Sequence, residues 1–306
     1  MKTASACAKF ILGGEHSVVV RGLALAFPLP HVTLTVSISD LDQTAKTDRR
    51  LTINGTLRSQ EELAIVQNLC LRLGAKFAPS IIDIESLVPM GAGLGSSAAL
   101  STALAKIFSP GLNENDLAKV ALNGEELFHR HPSGVDPFTI AIGRPIIFRS
   151  ENKAWKPLPC EKFLKAGLSF ALFNSGLTHK TAEVQAIVAE KKTEHPDIYE
   201  SLMDALANNV KEMQAAFENG NGPQLGHLMN SSHSYLHQLG VCPPEINELT
   251  KNVLALEGCL GAKLTGAGCG GFVLGLFSRR QHPQTKPPVD GRKAATIIQP
   301  AFVWPE

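Results

Sequence analysis

A glycine-rich segment at residues 89–98, PMGAGLGSSA, constrains the fold of this chain more than any other feature of the sequence. Glycines occupy three alternate positions in it: Gly91, Gly93 and Gly95. Because glycine has no Cβ, the backbone here can turn tightly and approach an anion closely. Ser96 and Ser97 then begin a run of small and apolar residues that predicts a helix. Since a helix N-terminus presents unpaired N–H groups, the segment predicts a phosphate-binding loop.

The same pattern leaves a second interpretation open, a glycine-rich turn capped by a serine. The segment is not a Walker A motif, because it has no Gly-Lys-Ser or Gly-Lys-Thr ending, and it does not fit the GxGxxG pattern of dinucleotide-binding proteins. The hydroxyls of Ser96 and Ser97 can donate to phosphate oxygens or ligate Mg²⁺. Further residues are needed to decide between the two interpretations.

Hydrophobic periodicity, broken at glycines and prolines, predicts a mixed secondary structure. Strands are predicted at residues 7–12, 17–20, 32–38, 81–84, 140–148, 168–173, 262–264 and 271–277. Helices are predicted at residues 61–73, 97–108, 117–129, 180–192, 198–218, 222–239 and 244–257. The polar, proline-rich residues 278–293 predict a loop, and residues 296–304 predict a last edge strand. We therefore expect an α+β fold.

Prolines at positions 157 and 159 interrupt this pattern and predict a boundary between two domains, residues 1–160 and 161–306, with a cleft between them. The formal net charge of +1 and the absence of a basic run give no reason to expect a nucleic-acid partner. No apolar stretch is long enough for a signal peptide or a membrane span. Six scattered cysteines form no CxxC pair, so we expect reduced thiols in a cytoplasmic protein.

The N-terminal segment at residues 9–19, KFILGGEHSVV, places three polar side chains near a turn: Lys9, Glu15 and His16. A charged group buried at a strand end needs a partner, because desolvation of an isolated charge is costly. Taken by itself, the segment favours a solvated lysine and a surface Glu-His pair.

Acidic residues cluster in a predicted helix and just beyond it, where Glu125 and Glu126 are followed by the string HPSGVD ending at Asp136. A kinase needs one acid to hold Mg²⁺ and a carboxylate near the attacking hydroxyl. Without further information, the two glutamates are typical of a solvated helix face, and the position of Asp136 is typical of a turn or capping residue.

A second glycine cluster at residues 263–271, KLTGAGCGG, joins two predicted strands. Its backbone can pack against another loop or a ligand, and a plain hairpin connection is the alternative. His233 and His237 stand four residues apart on one helix face, a spacing that can bind a metal. No glutamate follows His233 as in HExxH, so we favour packing and hydrogen bonding for this pair.

Together, these strings resemble the three motifs of the GHMP kinases, a family named for galactokinase, homoserine kinase, mevalonate kinase and phosphomevalonate kinase. The segments at residues 9–19, 89–98 and 263–271 match in family order, and the resemblance covers roughly residues 4–277. It implies a two-domain fold, with an N-terminal domain like the second domain of ribosomal protein S5 and a ferredoxin-like C-terminal domain.

The resemblance also implies roles for individual residues, with ATP and Mg²⁺ as cofactors. Asp136 and Lys9 are the implied catalytic pair, and Ser97 and Glu125 are the implied Mg²⁺ ligands. The implied nucleotide contacts are Ser86, Gly91, Ala92, Gly93, Leu94, Gly95, Ser96 and Ser97. The implied substrate contacts are Glu15, His16 and Thr181, although Thr181 is also compatible with a helix N-cap.

The Glu-His and Pro-Ser-Gly-Val-Asp strings resemble the mevalonate kinase branch, so mevalonate is the expected acceptor and a homodimer is the implied assembly. Two alternatives stay open. One is another small-molecule kinase of the family, acting on phosphomevalonate, homoserine or a sugar. The other is a ligand sensor that has kept the fold without catalysis, a class for which a damaged Lys9 or Asp136 is expected.

Overall fold

The computed structural model describes residues 1–39, 49–76, 78–79, 81–129, 132–178 and 181–278, and for Thr181 it describes the backbone alone. The predicted edge strand at residues 296–304 and the predicted loop after residue 278 lie outside the described residues. His131 of the HPSGVD string lies outside them as well.

Ten strands and ten helices are present in the described part of the chain. The strands are β1 (Lys2–Gly13), β2 (Leu23–Ser39), β3 (Arg50–Ile53), β4 (Thr56–Leu57), β5 (Ile81–Ser86), β6 (Ile146–Arg149), β7 (Ala154–Pro157), β8 (Leu168–Asn174), β9 (Cys259–Thr265) and β10 (Phe272–Ser278). The helices are α1 (Ser17–Arg21), α2 (Gln60–Arg72), α3 (Ser96–Phe108), α4 (Glu114–Glu125), α5 (Val135–Ile142), α6 (Glu161–Lys165), α7 (Thr181–Glu194), α8 (Pro196–Glu218), α9 (Gly222–Leu239) and α10 (Pro244–Leu254). The predicted α+β class is confirmed.

Two sequence-based predictions are wrong. Residues 17–20, predicted as a strand from their branched side chains, form α1, because Gly14 and His16 adopt φ angles of 108° and 58° that turn the chain into a helix. Residues 140–148 were predicted as one strand, but the first part belongs to α5. Apart from Asp136 and Thr139, that helix is apolar, and most of it is buried, so periodicity alone could not separate it from a buried strand.

The chain divides into two compact units, each built from separate stretches of sequence. The first unit comprises Met1–Lys9, Pro28–Pro89 and Leu94–Arg144. Within it, the second half of β2 pairs antiparallel with β5, from Leu34 opposite Ser86 to Ser39 opposite Ile81. Strand β3 runs parallel to β5, and β4 pairs with β3. Helices α3, α4 and α5 pack against one another, and this packing fixes the positions of the residues they carry.

The second unit comprises Phe10–Phe27, Met90–Gly93 and Pro145–Glu306. Within it, the first half of β2 pairs with β6, and β6 pairs with β7. Strands β8, β10 and β9 form an antiparallel sheet in that order. The unit also contains an aromatic cluster whose rings contact one another by stacking or edge to face: Phe10, Phe27, Phe163, Phe170 and Phe217. In the described part of the chain, no helix is both long enough and apolar enough to cross a bilayer.

Helix α9 and strand β9 approach so closely that two glycines face each other. A Cβ built on Gly226 would lie 2.0 Å from the carbonyl oxygen of Leu260, and one built on Gly261 would lie 2.4 Å from the Cα of Gly226. In an exposed helix, replacing glycine with alanine gains about 1 kcal/mol. At Gly226 the same replacement should destabilise the protein instead, because the new methyl group would clash with backbone atoms of β9.

We expect Gly226→Ala to lower the unfolding free energy by about 2–3 kcal/mol, because helix and strand must separate to admit the methyl group. The urea midpoint of unfolding measures this effect. Gly111→Ala is the control, since a Cβ there meets no atom within 4 Å and only its φ of 83° is unfavourable, which costs about 1 kcal/mol. A G226A protein as stable as the unmodified chain would contradict the close packing.

Candidate active site

The glycine-rich segment forms a loop that leads into α3, as its sequence predicts. Gly91, Gly93 and Gly95 have φ angles of 68°, 76° and 77°, a left-handed conformation that strongly favours glycine. Gly95 is the N-cap of α3, so the helix begins at Ser96 with its N–H groups directed toward the loop. A Cβ on Gly95 would lie 3.0 Å from side-chain carbons of Lys9, so the loop packs directly on that lysine.

Lys9 and Asp136 form an ion pair in the first unit. The Lys9 Nζ lies 3.1 Å from Asp136 Oδ1, and its side chain is almost fully buried, while the Asp136 side chain is 29% exposed. Strand β1 positions Lys9, whose backbone N–H donates to the carbonyl of Leu94 at the start of the helix. Asp136 lies in the first turn of α5, after Gly134 with φ 95°. Asp136 therefore has one oxygen beside a cation and a side chain that a ligand can reach.

Glu125 lies at the end of α4, where it is buried and accepts hydrogen bonds from two hydroxyls of α3. The Oγ of Ser97 is 3.1 Å from Oε2, and the Oγ of Ser101 is 3.5 Å from Oε1. Burial, and secondarily the negative charge of Asp136, raise the pKa of Glu125 to about 8. Ionisation of the Glu125 carboxyl therefore costs free energy in the metal-free protein, and a bound cation would offset that cost.

His129 also belongs to this group, because its Nε2 lies 3.6 Å from Glu125 Oε2. Burial lowers the pKa of His129, so its imidazole is mostly neutral at pH 7. The neighbouring Glu126 is different: it is exposed and pairs with Arg72 on the surface. Of the two adjacent glutamates, only Glu125 thus contacts the glycine-loop helix.

The Glu125 and Ser97 oxygens fit a hard divalent cation such as Mg²⁺. Carboxylate and hydroxyl oxygens are its preferred ligands, and Mg²⁺ is usually held by one or two carboxylates together with substrate phosphates. Among the described residues, no group of three or more His, Cys, Asp and Glu side chains could hold a metal ion. The buried carboxyl with a raised pKa is the observation that supports the fit.

In the second unit, His16 and Glu15 contact the second glycine cluster. The Nε2 of His16 lies 2.8 Å from the carbonyl oxygen of Ala267, so this nitrogen carries the proton and donates. Burial lowers the pKa of His16, which keeps the imidazole neutral at pH 7. Glu15 forms a fully buried ion pair with Lys263. The sequence did not indicate that pairing, because 248 positions separate the two residues.

The second glycine cluster packs on the glycine-rich loop of residues 91–95, backbone against backbone. A Cβ on Gly266 would lie 2.9 Å from the Cα of Gly93, and one on Gly271 would lie 2.4 Å from the carbonyl oxygen of Ala92. Both glycines have positive φ, at 90° and 83°. The cluster is therefore more than a hairpin connection, because it supports two residues of the loop.

The other predicted site residues lie in different surroundings. Ser86 ends β5, and its hydroxyl donates to the carbonyl of Val88 while accepting from the Val88 N–H, at 3.0 and 3.1 Å. Thr181 is the first residue of α7, and its side chain lies outside the described part. His233 Nε2 and His237 Nδ1 each hydrogen-bond the Asn247 side chain. These bonds support the packing interpretation of the histidine pair.

Some residues of this group were missed at the sequence level. Ser101 and His129 both contact Glu125. Ser101 comes four residues after Ser97, and His129 comes four residues after Glu125, and both of those earlier residues were identified from the sequence. Helical spacing could therefore have indicated them. Lys263 was identified only as part of the glycine cluster.

Two family models match the chain. The model described as "GHMP kinases N terminal domain" matches residues 62–144, and the model described as "GHMP kinases C terminal" matches residues 213–286.

Several curated proteins named mevalonate kinase resemble the chain over most of its length. The protein from Aeropyrum pernix is 32% identical, covering 90% of this chain and 88% of its own. The one from Archaeoglobus fulgidus is 32% identical, with 90% and 92% covered, and the one from Pyrococcus horikoshii is 30% identical, with 91% and 89% covered.

Solved structures show the same fold. A mevalonate kinase from L. major in complex with R-mevalonate superposes with a TM-score of 0.71 at 23% identity, covering 90% of this chain and 87% of its own. The Methanococcus jannaschii mevalonate kinase gives a TM-score of 0.70 at 22% identity, with 92% of both chains covered. The Streptococcus pneumoniae phosphomevalonate kinase gives 0.72 at 16% identity, with 91% and 92% covered, so at these identities the likeness concerns the fold alone.

Proposed function

Because this chain belongs to the GHMP kinase family, we propose that it catalyses the ATP-dependent phosphorylation of the 5-hydroxyl of mevalonate, giving 5-phosphomevalonate in the mevalonate route to isoprenoids. It is an ATP-dependent phosphotransferase. The observation that carries the proposal is the group formed in one unit by the Lys9–Asp136 ion pair and the Ser97–Glu125 hydrogen bond.

Asp136 is the proposed catalytic carboxylate. Its carboxylate accepts a hydrogen bond from the attacking hydroxyl, orients it and takes its proton. As the new oxygen–phosphorus bond forms, the bond between the γ-phosphorus and the β–γ bridging oxygen of ATP breaks, and ADP leaves. In a loose transition state this proton moves late, so positioning of the hydroxyl is the larger contribution. The Lys9 ammonium holds the Asp136 side chain in place and offsets negative charge in the transition state.

Ser97 and Glu125 are the proposed ligands of Mg²⁺. Held there, Mg²⁺ would supply positive charge that offsets part of the negative charge of the phosphates. The chain contributes a hydroxyl and a carboxylate already 3.1 Å apart, on helices that pack together. Ser101 donates to the other carboxylate oxygen and keeps the carboxylate oriented toward Ser97.

The phosphate loop is the proposed site for the ATP phosphates, with N–H groups at the start of α3 as donors. The nucleotide contacts proposed on it are Gly91, Ala92, Gly93, Leu94, Gly95, Ser96 and Ser97, with Ser86 on the preceding strand. Glu15, His16 and Thr181 are the proposed substrate contacts. A homodimer and a cytoplasmic location complete the proposal.

A coupled assay that follows ADP formation tests the function. Purified protein with Mg–ATP is given mevalonate, phosphomevalonate, homoserine or galactose in turn. We expect turnover with mevalonate and at most weak turnover with the others. Turnover of another alcohol without turnover of mevalonate would reassign the acceptor, and acceptor binding without any turnover would favour a non-catalytic sensor.

Removing the Ser97 hydroxyl tests the metal and phosphate assignment separately. We expect Ser97→Ala to lower kcat/KM for Mg–ATP by about 10–100-fold, because one oxygen ligand and one partner of Glu125 are lost. Ser109→Ala, at the other end of the same helix, is the matched control and should stay within about twofold. Equal kinetics for the two variants would refute the role of Ser97.

A further inference from the structure

Glu15 and Lys263 form an ion pair with almost no solvent contact. Their exposures are 2% and 0%, and the Lys263 Nζ also donates to the carbonyl of Leu264 at 2.6 Å. Burying two charges costs more than their attraction usually returns, and an apolar pair of similar volume is often as stable. Stability alone therefore does not explain this buried pair, and its contacts indicate its role.

Lys263 is the first of three alternate residues that attach the second glycine cluster to residues 11–16. Thr265 accepts from the Ile11 N–H at 3.1 Å and donates to the Ile11 carbonyl at 2.8 Å. The Ala267 carbonyl accepts from His16. Lys263 and Thr265 are two apart on β9, so their side chains share one face of the strand, and Ala267 lies just beyond its end.

Gly266, between two of these residues, packs against the phosphate loop. The clearance is so small that a Cβ on Gly266 would lie 2.9 Å from both the Cα and the carbonyl oxygen of Gly93. A shift of the glycine cluster by a fraction of an ångström therefore moves Gly93 as well. Backbone N–H groups that bind phosphate tolerate little displacement.

We propose that Lys263 is a positioning residue for the nucleotide: through its ion pair with Glu15 it fixes the glycine cluster, and thereby Ala92 and Gly93 of the phosphate loop. The inference rests on the proposed function of that loop as the ATP phosphate site. It also gives Glu15, beside its proposed contact with the substrate, a positioning role through Lys263.

Binding of Mg–ADP, measured by titration calorimetry, tests this proposal without any acceptor. The central variant is the double substitution Glu15→Met/Lys263→Met, because each single Met substitution leaves one buried charge. We expect the double variant to unfold at a urea concentration close to that of the unmodified protein and to bind Mg–ADP at least tenfold more weakly. Lys263→Arg, which keeps a cation beside Glu15, should lose less than the double variant.

Glu15→Gln keeps the size of the side chain and an oxygen that accepts from Lys263, so it remains informative if the double variant does not fold. We expect a three- to tenfold loss of Mg–ADP affinity. Lys165→Met, which removes an exposed ion pair with Glu161, is the control and should bind as the unmodified protein does.

Mg–ADP affinity unchanged in a folded double variant, or unchanged in Glu15→Gln, would overturn the positioning role and leave the pair as a packing feature. An unmodified protein that does not bind Mg–ADP would overturn the phosphate-loop assignment itself, together with this inference. The two failures are thus distinguished in one series of titrations.

Discussion

Replacing Asp136 with asparagine should lower kcat with mevalonate by about two to four orders of magnitude, the range typical for loss of a positioned proton acceptor. The amide keeps the size of the carboxyl and can still accept from Lys9, so the protein should stay folded. It cannot take a proton from the hydroxyl, and it does not carry the charge that orients Lys9. The KM for ATP should change far less than kcat, because the ATP phosphates are held by other groups.

Asp116→Asn is the matched control for this experiment. Asp116 is an exposed aspartate on α4 that pairs with Lys119, so its loss should leave kcat unchanged within about twofold. An Asp136→Asn protein that keeps more than about a tenth of kcat, against the loss expected for a proton acceptor, would contradict the catalytic assignment.

Glu125→Gln should have two effects of opposite sign. Activity should fall by at least about 100-fold, because the proposed metal ligand loses its charge. The metal-free protein should become more stable at alkaline pH, because the unmodified carboxyl is forced to ionise where burial opposes it. The second effect is unusual for a substitution in an active site and depends directly on the pKa of about 8.

The sign follows from proton linkage. Between the ordinary glutamate pKa of 4.5 and the folded pKa of about 8, the folded state holds a proton that the unfolded state has lost. Stability therefore falls as pH rises through this window, by up to about 1.4 kcal/mol per pH unit. Glutamine does not titrate, so the stability of the E125Q protein does not fall in this way as the pH rises.

Urea unfolding with EDTA at several pH values between 5 and 9 provides the measurement. We expect the two proteins to be similar near pH 5 and the E125Q midpoint to exceed that of the unmodified protein at pH 9. Glu126→Gln is the control at the next position, where the side chain is exposed, and it should change neither activity nor the pH profile. If the urea midpoints of E125Q and the unmodified protein changed in parallel with pH, the burial of Glu125 and its raised pKa would be contradicted.

The elements that carry the site could be predicted because their signals are local. Three alternate glycines specify a left-handed loop, and Ser96 begins the helix after it, so the strand, the loop and α3 were predicted with small errors at their ends. The predicted pairing of Lys9 with Asp136 came from the family resemblance, and the structure contains that contact.

What the residues alone did not indicate depends on contacts between distant parts of the chain. Glu125 and Glu126 are identical in type and adjacent, and only the packing of α4 against α3 makes one buried and the other exposed. The Glu15–Lys263 pair joins residues that share no local pattern. Helix α1 was missed because its valines have strand propensity, which the backbone at Gly14 and His16 overrides.

Phosphorus NMR of the reaction product tests the central claim most directly. The protein is incubated with Mg–ATP and mevalonate, and the proton-coupled spectrum of the new phosphomonoester is recorded. Transfer to the primary 5-hydroxyl predicts a triplet, because the phosphorus couples to the two protons of the adjacent methylene. A singlet, which marks transfer to the tertiary hydroxyl, or no phosphomonoester in a sample where another alcohol is phosphorylated, would contradict the claim.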